Sequence, residues 1–194
     1  MPRRNRRPAG LIGLQRGTYS DRADRNDWSY YDSATLDHLT TTFRLFQTPW
    51  SGAKTLDLTN MKTAGIIPQN QRFRIRQIVV QYWAAAARTT FVKIHKILAE
   101  TVLELIVNGK DASYQKPLSR IMGIDGGVEL ATGAANVVAE PLLSIIKAEK
   151  LRSQITLAAN VPFEVRLTST NASDASLDGD RIKVFLEGLL IRAM

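Results

Sequence analysis

The sequence predicts an all-β fold: a single jelly-roll β-sandwich of about eight strands, with one or two short helices in its connections and a flexible basic N-terminal arm. Three observations lead there. Short segments of alternating apolar and polar residues recur from residue 41 to the end of the chain, the period of strands with one buried face. Gly, Pro, Asn and Ser punctuate the segments between them, as in sandwiches and barrels. The intervals are uneven, which suits the long end loops of a jelly roll better than a tight immunoglobulin-like sandwich.

The arm comes first. Of the formal net charge of +8 on 194 residues, +5 falls in the first 25, where seven arginines face Asp21 and Asp24. Pro2-Arg3-Arg4-Asn5-Arg6-Arg7-Pro8 has two prolines and no aliphatic side chain. Such a segment buries too little apolar surface to offset the entropy of ordering it, so it is expected to be mobile. Residues 1–27 are assigned to the arm and 28–194 to the sandwich. Arg3, Arg4, Arg6, Arg7 and Arg16 suit bidentate phosphate contacts, and a basic arm ahead of a nearly balanced domain reads as a tether to nucleic acid or another polyanion. A targeting peptide, a contact with anionic membrane and a solubility tail are the competing readings. Ala9 to Leu14 is too short and glycine-broken for a secretory h-region, and no stretch approaches the roughly 20 apolar residues of a membrane helix. A soluble or at most peripheral protein is expected.

Trp28, Tyr30 and Tyr31 stand where the arm meets the body. They suit stacking on bases, but at such a junction they read first as an arm anchor, on the chain's own domain or a neighbouring subunit. Strands are expected in Thr41–Gln47 and Lys54–Thr59, followed by a turn-rich connection through Gly65 and Pro68. The clearest strand is Arg72 to Trp83. Phe73 and Ile75 face one way and Arg72, Arg74 and Arg76 the other, a basic stripe of roughly 13–14 Å that would meet nucleic acid, an acidic neighbour or water. Beyond Gln77 both faces turn apolar, as in a strand whose second half is covered.

Ala84 to Glu100 fits a short helix on the spacing of Phe91, Ile94 and Leu98 or a strand of Val92, Ile94 and Leu98 broken by Lys96, and the helix is the preferred reading. Thr101–Lys110 is a strand ending in the hairpin signal Asn108-Gly109. Asp111–Ala139 reads as loops, and Glu140–Glu149 as a short helix with Pro141 in its first turn. Ile155–Ala158 and Phe163–Thr168 alternate as strands, Ser169–Asp180 is a polar loop, and Arg181–Arg192 closes the chain as a strand apolar on both faces.

Little common catalytic chemistry remains. There is no cysteine, which removes thiolate nucleophiles, disulfides, Cys-ligated zinc and iron–sulfur clusters. His38 and His95 are the two imidazoles, too few and too far apart for a cupin-type metal centre. The glycines at 123, 126, 127 and 133 lack phosphate-loop spacing. Asp174, Asp178 and Asp180 lack the ligand spacing of an EF-hand, so a solvated tip is the preferred reading. Nothing singles out a carboxylate pair such as Glu104 and Glu187. No metal, no cofactor and no enzymatic activity are expected.

Several strings carry a resemblance: Leu58-Thr59-Asn60-Met61-Lys62-Thr63-Ala64-Gly65-Ile66-Ile67-Pro68, then Phe73-Arg74-Ile75, Leu103 to Lys110, Val161-Pro162-Phe163-Glu164-Val165, and Leu186-Glu187-Gly188-Leu189-Leu190-Ile191-Arg192. In this order they resemble the single jelly-roll capsid proteins of small tailless icosahedral phages and related viruses. The resemblance spans residues 41 to 194 as a pattern of strands and turns. It implies a capsid subunit that self-assembles into an icosahedral shell, made in the host cytoplasm and resident in the virion. The implied partners are further copies of the chain, other virion proteins, and genomic nucleic acid met by the arm, which faces the packaged genome or a neighbouring subunit. An internal membrane is compatible with the resemblance but not indicated by the sequence. The alternative is a non-viral β-fold nucleic-acid-binding protein that uses the arm and exposed aromatics.

Overall fold

The computed structural model describes residues 23–50, 53–83, 98–110, 112–122, 145–169 and 178–193. The arm arginines Arg3, Arg4, Arg6, Arg7 and Arg16, together with His95, Asp174 and most of the helix expected over 84–100, lie outside them.

Eight strands form two four-stranded antiparallel sheets. They are β1 (Ala23–Thr35), β2 (Thr42–Leu45), β3 (Gln71–Trp83), β4 (Thr101–Val107), β5 (Ala112–Pro117), β6 (Ile145–Leu157), β7 (Phe163–Ser169) and β8 (Arg181–Ala193). A single-turn helix, α1 (Leu118–Met122), follows β5. One sheet has the order β1-β8-β3-β6 and the other β2-β7-β4-β5. Each of the first four strands pairs with its mirror among the last four: β1 with β8, β2 with β7, β3 with β6, β4 with β5.

Alternation puts one side of each sheet into a shared core. Phe73, Ile75, Val184 and Leu186 come from the first sheet and Leu45, Leu105, Val165 and Leu167 from the second, all fully buried in one cluster. Each such side chain contributes about 1.5–3 kcal/mol on leaving water. Asn108 and Gly109, at φ 59° and 64°, close the β4–β5 hairpin with the double positive φ of a type I′ turn.

Four expectations are corrected. Lys54–Thr59 is not a strand but turns that run along the open edge of β1. There Asn60 acts as a surrogate strand: its amide N–H donates to the Tyr31 carbonyl, its side-chain oxygen accepts the Tyr31 N–H, and its side-chain amide donates to the Ser29 carbonyl. The section from 111, read as loops, contains β5 and α1. The helix expected over 140–149 gives way from Ile145 onward to β6, because pairing with β3 outweighs the helical propensity of Lys147–Arg152. Finally, β1 begins at Ala23, so residues 23–27 are sheet rather than arm.

Candidate nucleic-acid interface

The outward face of the β1-β8-β3-β6 sheet carries the arginine stripe and Tyr31. Strand register arranges it in rows. Ser29 of β1, Glu187 of β8, Gln77 of β3 and Lys150 of β6 form one row across all four strands. Asp27, Leu189, Arg74 and Thr156 form a second, and Arg25, Ile191 and Arg72 a third. On the other side of the first row lie Tyr31, Phe185, Val79 and Ala148.

A break separates the first two rows. β3 carries one extra residue, Arg76, against β8, while β6 spends four residues, 151–154, against that same single residue. Ile75 and Ile78 are both buried, so Arg76 and Gln77 between them both face outward, as a β-bulge allows. An open cleft of ≈ 680 Å³ lies at the bulge, lined from all four strands. Gly188 borders it because a side chain there would strike the Arg74 carbonyl.

The expected stripe exists as a geometry. Arg72, Arg74 and Arg76 are exposed while Phe73 and Ile75 are buried. Its members differ in charge state of surroundings: Arg76 pairs with Asp27 at 3.2 Å, whereas among the described residues neither Arg72 nor Arg74 has an ion pair. Arg72 and Arg74 sit at the end of the sheet where Ala23 pairs with Ala193, the point at which the Arg-rich segment joins the fold.

The three aromatics lie on β1 and are divided between its faces. Tyr30 is buried, edge-on to Phe73 at 4.9 Å between ring centres. Tyr31 faces outward, donates to the Leu56 carbonyl at 2.5 Å and lies 5.7 Å from the Phe185 ring. Trp28 remains 41% exposed, 6.1 Å from Tyr30. Lys183 stands over Tyr31 at 4.2 Å and near Phe185 and Trp83, a cation among three π faces. Burial in that cluster lowers its pKa from the ordinary lysine value.

Two further groupings were not legible in the sequence. Asp32, fully buried on β1, receives the Lys54 ammonium at 2.7 Å, the Ser33 amide at 2.9 Å and the Phe46 amide. Phe46 itself holds φ at 68°, which a bulky residue adopts only under constraint. His38 meets Asp178 at 2.6 Å and Asp37 at 3.7 Å, joining the β1–β2 turn to the residues before β8. These three donors lie close enough to suggest a cation, but each is already engaged. Asp178 accepts the His38 amide as well as its ring, and Asp37 accepts from Leu39 and Thr40. The cluster reads as a clasp between turns. Glu104 and Glu187 lie on different sheets, Glu104 held by Gln115 at 2.9 Å, and do not form a carboxylate pair. No helix among the described residues is long and apolar enough to cross a membrane.

No family model matches the chain, and no curated protein matches it.

Proposed function

We propose that the chain is a viral structural protein, a capsid subunit that assembles into a closed icosahedral shell through a single jelly roll. The observation that carries this reading is the nested pairing of β1 with β8, β2 with β7, β3 with β6 and β4 with β5, divided between two sheets. A jelly roll, a chain folded as one long hairpin and then wrapped, would give this order, and that supports the reading. Neighbouring copies would meet through loops and outward strand faces under closed symmetry. The Arg-rich segment would neutralise phosphates of the packaged genome without reading sequence. A particle mass in the megadalton range by light scattering of the purified chain is the expected result.

The alternative, a non-viral nucleic-acid-binding protein, draws on Arg72 and Arg74, which have no ion pair among the described residues and sit beside the start of β1. It predicts a monomer or small oligomer that binds nucleic acid, so the same mass measurement separates the two.

A further inference from the structure

We infer that the cleft at the β3 bulge is a subsite for one unpaired base of single-stranded nucleic acid, with the flanking phosphates on Arg74 and Lys150; this rests on the nucleic-acid reading above. Its volume of ≈ 680 Å³ is in the range of small-ligand sites. Its chemistry is that of a base edge rather than of a phosphate. Gln77 donates its amide to Glu187, which leaves the Gln77 carbonyl and the second Glu187 oxygen as acceptors on the cleft wall. Carboxylates accept from exocyclic amino groups of bases, and single strands expose those edges. Gln154 supplies a further carboxamide to the lining.

The acids argue against a simpler occupant. Asp27 and Glu187 line the cleft beside Arg76 and Lys150, so its charge is balanced and charge alone would not seat a strand there. Arg74 and Lys150, exposed and without an ion pair among the described residues, flank it on β3 and β6 and meet phosphates on either side of an inserted base. A duplex keeps its bases stacked and paired, so it cannot fill the cleft without paying to extrude one.

The test uses the full chain and three probes of equal length: a mixed-sequence single strand, an abasic strand and a duplex, at one fixed ionic strength. The single strand is expected to bind about tenfold more tightly than the abasic strand, the scale of one well-made base contact. Gln77→Ala and Glu187→Ala should each abolish that preference, and Glu187→Ala, which removes a carboxylate beside the strand, should also raise abasic-strand affinity. A bromouracil-bearing strand photo-crosslinked to the wild-type chain should give adducts on residues 27–29, 76–77, 150–154 and 187, which keeps the proposal testable if a variant fails to fold. Equal affinity for base-bearing and abasic strands, or adducts confined to residues 1–25, overturns the subsite but leaves the nucleic-acid reading standing. Binding of no probe even at low salt overturns both.

Discussion

A methyl group at position 188 would stand 2.0 Å from the Arg74 carbonyl oxygen, so β3 and β8 cross the bulge in contact that only glycine permits. The obstacle is backbone, not a side chain that can swing away. Gly188→Ala must push the strands apart at the centre of the sheet, and a loss of about 1–3 kcal/mol is expected. Urea denaturation of the variant beside wild type measures it, and an unchanged midpoint would mean that the strands do not meet this closely.

The buried Asp32 carboxylate depends on Lys54 for its counter-charge. Lys54→Met should cost about 3 kcal/mol, because it leaves a charge in the core with its cation removed. Adding Asp32→Asn to that variant should recover part of the loss. A double variant no more stable than Lys54→Met would show that the ion pair is not what holds this corner.

Alkaline stability is set by tyrosine. Burial, then the hydrogen bond to Asp180, raises the Tyr82 pKa well above its ordinary 10.0, and burial raises Tyr30 and Tyr114 too. A group whose folded pKa is raised contributes fully below its unfolded value and loses that contribution as pH climbs past it. Stability should therefore fall above about pH 10. Lys183, whose pKa is lowered by burial, acts in the opposite sense as pH rises towards the lysine range. Tyr82→Phe should cost about 1–3 kcal/mol at neutral pH, since Asp180 loses a buried donor, and should flatten the alkaline fall. Denaturant midpoints from pH 7 to 11 test both parts.

Charge and fold separate cleanly in the next experiment. Deleting residues 2–16 should weaken nucleic-acid retention and leave the far-ultraviolet circular dichroism of the β domain intact. Arg72→Ala and Arg74→Ala should each lower the slope of log affinity against log salt by about 1. Unchanged binding in the truncated chain would contradict the role given to the arm.

Strand β3 shows how far the sequence carries. Its alternation was legible, and so was the covering of its second half, because Phe73 and Ile75 give way to a run of apolar residues. The bulge was also written there, as a shift in phase: Ile75 and Ile78 are both buried, an interval of three where a regular strand needs two. β5 could not be read, since Ala-Ser-Tyr-Gln-Lys-Pro has no apolar alternation and takes its conformation from β4. The end of β6 was legible in the alternation from Ile155, but its beginning was read as a helix because Ile145–Glu149 suits a short helix as well as a sheet edge. Within the site, the arginine stripe followed from period two alone. The row of Ser29, Glu187, Gln77 and Lys150 did not, because it needs four strands in register, and no local pattern encodes which strands are neighbours.

Whether this domain builds a shell is decided by electron microscopy of the purified full chain, with and without added nucleic acid. Closed particles of uniform diameter are the predicted result. Monomers or small oligomers under every condition, with the β fold intact, would contradict the proposed assembly.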